Sequence, residues 1–206
     1  MSNLALESDS EKWLRLKRID STNTYALREN VSSGTVIIAD VQTSGRGRRG
    51  RSWVSLEDSL IFSGVLIFSA ELVPDERLAH LPILAGVAVL RAAQEAAPHG
   101  EFHIKEPNDV LVVRNGMPGK VAGVLVESEI RGDQRKVVVG IGVNGNRAPE
   151  VSESMYQPMP LFDNDPFDRF KFAASLIREF NARISQILDS APPAFLGEAK
   201  EYQQLV

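Results

Sequence analysis

The chain has 206 residues, 43% of them hydrophobic and 24% charged, with a formal net charge of -4. That length suits one domain, read here as residues 1–206, with a core large enough to need no cross-links. The sequence contains no cysteine, which excludes disulfides, thiolate catalysis and Cys-based zinc sites. His80, His99 and His103 fall at no metal-ligand spacing. No stretch reaches the roughly 18 apolar residues of a membrane span. The polar, acidic opening from Met1 to Lys12 carries no secretory signal, so the cytoplasm is the default location.

In chain order, residues 1–12 read as a flexible lead-in. Trp13 to Ile19 alternates as a strand does. Asp20-Ser-Thr-Asn-Thr24 is a cluster of helix-capping residues, followed by a short helix over Tyr25 to Asn30. The same hydroxyls and amide suit a small polar ligand. Thr35 to Val41 is a buried strand, and Ser59 to Phe68, apolar on both faces, is a central one. Pro74-Asp-Glu opens a turn or a helix. Pro82 to Ala97 is a largely buried helix, stopped by Pro98-His-Gly100. Phe102 to Lys105 is strand-like, Glu106-Pro-Asn-Asp109 interrupts it, and Val110 to Val113 resumes. Arg114-Asn-Gly-Met117 is a hairpin signal. Lys120 to Ile130 and Lys136 to Asn144 form an antiparallel pair around Arg131-Gly-Asp-Gln134. Asn146 to Asp165 is irregular, with Pro149, Glu150, Glu153, Pro158 and Pro160. Phe167 to Leu188 is an amphipathic helix, and Ala194 to Leu205 a second, shorter one. The whole reads as α+β, a mixed but mostly antiparallel sheet packed against helices.

One loop stands apart. Gln42-Thr-Ser-Gly-Arg-Gly-Arg-Arg-Gly-Arg-Ser-Trp53 places four arginines and three glycines within seven consecutive positions of an acidic protein. Such density points to a local anion rather than to general polyanion binding. Arginine forks match phosphate and carboxylate, and glycines let the backbone approach a ligand. The Gly45-x-Gly47-x-x-Gly50 spacing fits the dinucleotide fingerprint, but no helical period follows it. A disordered RNA-binding tract and a solvated basic turn are the other readings. An ordered anion-binding loop needs support from elsewhere in the chain.

That support is a series of motifs: Ser21-Thr-Asn23, the arginine loop, Lys105-x-Pro-Asn-Asp109, Gly119-Lys-Val-Ala-Gly-Val-Leu-Val-Glu127 and Gly140-Ile-Gly-Val-Asn144. In this order they resemble the catalytic domain of biotin–protein ligases, over roughly residues 13–145. The resemblance implies the biotin/lipoate ligase fold, akin to class II synthetases. It implies ATP- and Mg2+-dependent activation of biotin to biotinyl-5′-AMP, then transfer to a lysine of a biotin carboxyl carrier domain. By position it assigns Ser21, Thr22, Asn23 and Gln42 to the biotin ureido head. It places Gly45, Arg46, Gly47 and Arg48 over biotin and the adenylate phosphate. Lys120 takes the reacting carboxylate and α-phosphate, with Gly123 giving room beside it. Lys120, Arg46 and Arg48 form the catalytic set. Arg48, Arg49, Arg51, Trp53, Lys105, Asn108, Lys120 and Asn144 fall on the nucleotide side, and Asp109 on Mg2+.

Each residue also has a plainer reading: Lys120 as a solvated strand start, Asp109 as a turn residue, Trp53 as a loop anchor, Glu127 and Asn144 as structural. Two departures stand out. Glu106 replaces the tryptophan usual before Pro-Asn-Asp, and the segment after Trp53 lacks a glycine. We expect no N-terminal DNA-binding domain, no nucleic-acid or membrane partner, and, as a further departure from the family, no small C-terminal domain; the resemblance implies a homodimer formed through a sheet edge. A ligase for lipoate or octanoate and a non-catalytic biotin- or nucleotide-binding paralogue are the competing readings.

Overall fold

The long apolar run after the arginine loop lies in the middle of a seven-stranded sheet. The strands are β1 (Leu14–Ile19), β2 (Val36–Gln42), β3 (Leu60–Ser69), β4 (Glu101–Lys105), β5 (Asp109–Arg114), β6 (Met117–Arg131) and β7 (Gln134–Val143). Their spatial order is β1-β2-β3-β7-β6-β5-β4. Only β1 and β2 run parallel, and every other neighbouring pair is antiparallel. This is a computed structural model, and it describes residues 4–151, 155–163, 165–189 and 192–203.

The helices are α1 (Thr22–Arg28), α2 (Asp75–Leu78), α3 (Leu81–Ala96), α4 (Arg169–Ile184) and α5 (Ala194–Glu201). Period-two alternation divides the sheet into two unequal faces. Val137, Val139, Ile141 and Val143 of β7 join the main core with α3, α4 and α5, while Val138 belongs to a small second cluster with Ile37, Val65 and Ala26 of α1. The second face is therefore covered by α1 over part of its area. The arginine loop lies over the remainder. That face carries the candidate site.

The structure corrects several expectations from the sequence. The lead-in is not flexible where described: Leu4 and Leu6 are buried in the main core. Asn181 of α4 binds the Leu6 backbone from both sides, its Oδ1 accepting from Leu6 N and its Nδ2 donating to Leu6 O, each at 2.8 Å. Trp13 lies outside β1 as a core residue whose Nε1 donates to Glu7 O at 2.8 Å. The first helix starts at Thr22, not Tyr25, because Ser21 caps it. The amphipathic helix ends at Ile184 and closes in a 3-10 turn, Ser185–Ile187. Glu153 and the last two residues expected in the final helix, Gln204 and Leu205, lie outside the described residues. The Asn115-Gly116 turn has positive φ at both residues, 53° and 74°, which is the two-residue hairpin its sequence announced.

Candidate active site

Asn23 lies on β7 at Gly140, whose neighbours across the sheet are Ser63 of β3 and Leu125 of β6. A Cβ at position 140 would fall on the Asn23 amide, so only glycine leaves room for this side chain. Asn23 Oδ1 accepts from Ser63 Oγ at 2.6 Å. Its Nδ2 donates to Leu125 O at 3.1 Å and to Glu127 Oε2 at 2.9 Å. Both amide hydrogens are thus committed to protein. Ser63 Oγ also lies 2.8 Å from Thr22 Oγ1. Its single proton goes to the amide oxygen, and Thr22 donates to it. Gln42 Oε1 accepts from Thr22 N at 3.0 Å, satisfying one orphan donor of the helix start. Ser21, Thr22, Asn23 and Ser63 are all buried.

The arginine loop is a small hairpin. Trp53 N donates to Gly45 O, Gly47 N donates to Arg51 O, and Arg46 bridges Ser52. A 3-10 turn, Arg48–Gly50, forms the tip, where Arg49 and Gly50 take positive φ. Two arginines pin the hairpin to the β6 side. Arg46 Nη2 pairs with Glu127 Oε2 at 2.7 Å, and Arg48 Nη1 donates to Asn108 Oδ1 at 3.2 Å. Asn108 is itself seated on β6, its Nδ2 donating to Val124 O at 3.1 Å.

Lys120 reaches the same face through a bulge. Val110 pairs with Ala122 but Leu111 pairs with Lys120, leaving Val121 as the extra residue. Strict alternation would turn Lys120 away from Gly123, Leu125 and Glu127; the extra residue turns it back. Its Nζ lies 2.7 Å from Asp109 Oδ1 and 5.4 Å from the Trp53 ring centroid. The ring rests on the sheet at Gly142, where a Cβ would meet the indole. Beyond Lys120, residues 157–159 run alongside β6: Lys120 N donates to Gln157 O at 2.8 Å, and Met159 N to Lys120 O at 2.9 Å.

One cleft gathers most of the expected residues: Ser21, Thr22, Asn23, Gln42, Arg46, Gly47, Arg48, Arg51, Trp53, Asn108, Lys120, Gly123 and Asn144 line it. Gly45 and Arg49 do not. They border a second recess behind the hairpin, because Gly45 sits at its base and Arg49 at its outward tip. Lys105 lines neither. Asn144 is buried, its Nδ2 donating to Lys120 O and Met159 O at 3.2 Å each, and so braces the backbone at Lys120. Asp109 is committed to Lys120. Among the described residues no group of three or more His, Cys, Asp or Glu side chains gathers for a metal. Glu106 lies outside the cleft and accepts from Gln203 near the C-terminus. The carboxylate that replaces the expected tryptophan therefore faces away from the cleft. Ser63 had no local signal in the sequence, and the places of Glu127 and Pro158 at the site were not foreseen. Ser63 reads as one small residue in an apolar strand, and its role appears only once β3 lies beside β7.

A family model described as the biotin/lipoate A/B protein ligase family matches residues 16–144, which hold the polar turn, the hairpin, Lys120 and Asn144. The chain belongs to this family. Among biotin/lipoate ligases, a biotin–[acetyl-CoA-carboxylase] ligase from Mycobacterium tuberculosis is 37% identical over 179 residues, 84% of this chain and 64% of that protein. One from Paracoccus denitrificans is 41% identical over 140 residues, 66% of this chain and 55% of that protein. The chain thus spans less than two thirds of the length of these curated relatives. A biotin protein ligase from Aquifex aeolicus, solved in complex with biotin and ATP, superposes with a TM-score of 0.77 at 30% identity, covering 95% of this chain and 80% of that one. The same fold recurs in a Leishmania major biotin protein ligase at 20% identity, with a TM-score of 0.74. The expected sheet-and-helix architecture is the family's. No helix among the described residues is long and apolar enough to cross a membrane.

Proposed function

We propose that this chain activates biotin with ATP and transfers the biotinyl group to a lysine of a biotin carboxyl carrier domain. The observation that carries the reading is the layout of the cleft, in which a buried uncharged polar turn and a cationic hairpin share one opening with Lys120. A neutral urea needs donors and acceptors together, which the Ser21–Thr22 turn and Gln42 supply. A carboxylate meeting a phosphate needs fixed positive charge, which Arg48 and Lys120 supply. In the first step a biotin carboxylate oxygen attacks the α-phosphorus of ATP. An O–P bond forms, the bond to the β-phosphate oxygen breaks, and pyrophosphate leaves. In the second step the carrier lysine, as free amine, attacks the acyl carbon. The C–N bond forms, AMP leaves with the C–O electrons, and the amine gives up a proton. In this reading Lys120 is the point charge that offsets the repulsion of the two anions and then the charge on the phosphoryl oxygens.

Mg2+ enters this reading on the phosphates of ATP, as it commonly does, and no step is assigned to it. The names of the relatives, two of them acetyl-CoA-carboxylase ligases, support a carboxylase carrier as acceptor. The test is biotin-dependent exchange of labelled pyrophosphate into ATP by the purified chain. Exchange with biotin and none with lipoate or octanoate is the expected result. Biotin binding without exchange would replace this reading with a non-catalytic paralogue, and exchange with lipoate alone would replace the substrate.

A further inference from the structure

Glu127 stands outside the set of residues that the resemblance assigns to ligands, yet one of its oxygens joins two parts of the cleft. Oε2 accepts from Arg46 Nη2 at 2.7 Å and from Asn23 Nδ2 at 2.9 Å. From Asn23 the bonds continue to Ser63, from Ser63 to Thr22, and from Thr22 N to Gln42. The arginine hairpin and the ureido-facing turn are thus the two ends of one chain of hydrogen bonds. The alternation of β6 places Glu127 on the face of Gly123 and Leu125. The Arg46 guanidinium is turned onto this carboxylate, while Arg48 of the same hairpin is held by Asn108.

We propose that Glu127 is a positioning residue that couples closure of the arginine hairpin to the geometry of the polar turn, so that the hairpin is held shut most firmly when the turn is correctly arranged around its ligand. The pair is half-exposed, with side-chain exposures of 44% for Arg46 and 24% for Glu127. The latch is therefore screened by salt and opens more easily than a buried one. The ligand assignment rests on the biotin reading above; the mechanical coupling does not.

The coupling is read first without any ligand. Trypsin cleaves after arginine, and the hairpin offers four, so cleavage there measures its opening. Glu127→Ala loses both bonds and is expected to raise the cleavage rate about tenfold. Glu127→Gln can place its amide oxygen at the Oε2 position and is expected to restore most of the protection. Ser63→Ala, which breaks the chain of bonds between Asn23 and Thr22, is expected to speed hairpin cleavage as well. Unchanged cleavage in Glu127→Ala, or in Ser63→Ala, would overturn the proposal. Should Glu127→Ala fail to fold, Glu127→Gln decides: its excess cleavage over wild type should shrink as salt rises toward about 0.5 M, and a ratio of one at every salt concentration would overturn the coupling. In pyrophosphate exchange, Glu127→Ala should raise the KM for biotin about tenfold and leave the KM for ATP within about twofold. Parallel rises in both would also overturn it. A wild-type chain without biotin-dependent exchange would remove the activity assignment, while the cleavage comparison would still decide the coupling.

Discussion

Lys120 carries the only ammonium among the residues lining the cleft, and its environment makes its loss informative. Lys120→Ala should lower pyrophosphate exchange by about two to three orders of magnitude while the circular dichroism spectrum is retained. Near-wild-type exchange would remove its assignment. Asp109 would then lose its partner, so the variant should also unfold at lower temperature than wild type. Gly142 offers a test from the floor of the site. Gly142→Ala places a methyl against the Trp53 indole, and close-packed surroundings leave the ring no room to stay. We expect a shift in Trp53 fluorescence together with biotin binding weakened about tenfold or more, measured by calorimetry. Lys120 also shows why sequence reading stops short at this scale. Its place at the cleft was expected from the motif, but strict strand alternation points it the wrong way. The bulge at Val121 that corrects this is set by pairing with β5, which no local pattern records.

Among the elements, α1 matters most to the site because its first turn is the polar turn. Its other end is held by Lys136 of β7, a buried lysine whose Nζ donates to Ala26 O at 3.1 Å and Glu29 O at 2.9 Å. A cation at a helix C-terminus answers both the orphan carbonyls and the helix dipole. Lys136→Met would remove both bonds, leaving Glu29 O only the Val31 N–H at 3.0 Å, and should destabilise the protein by about 2 kcal/mol. For a chain of this size that corresponds to roughly 4–8 °C in Tm, read by thermal unfolding; an unchanged Tm would make the contact incidental. Strands and helices were placed by their periodicity to within a few residues, and the Asn115-Gly116 hairpin by turn chemistry. Lys136 was not distinguishable from an ordinary strand-end lysine. Glu127 closed a motif but was read only as structural. Both acquire their meaning from partners about a hundred residues away.

At the scale of the whole molecule, the helical layer is stitched by charge as well as by apolar packing. Glu198 of α5 accepts from Arg183 of α4 and Arg91 of α3. Burial alone would raise its carboxyl, but the bonds from Arg183 and Arg91 hold it below its ordinary value of 4.5. A carboxyl lowered in the folded state contributes stability that is complete above its unfolded value and is lost as pH falls through the folded one. Tm should therefore decline on acidification below about pH 4.5. Glu198→Gln should lower Tm at neutral pH and flatten that acid limb, as a pH series of melts would show. An acid limb as steep as that of wild type would count against this triad.

The contact between Leu6 and Asn181 has a consequence for how the chain comes together. The two residues are 175 positions apart, and the Leu6 side chain lies over Gly64 of β3, where a Cβ would stand 2.7 Å from its methyl groups. The central pairing of β3 with β7 likewise waits until residue 143 exists. Contacts this distant along the chain slow folding. During synthesis Leu6 emerges long before Asn181, so its set of neighbours is complete only once α4 has been made. A chain cut before Asn181 would leave the Leu6 backbone N–H and C=O without the two bonds that α4 supplies.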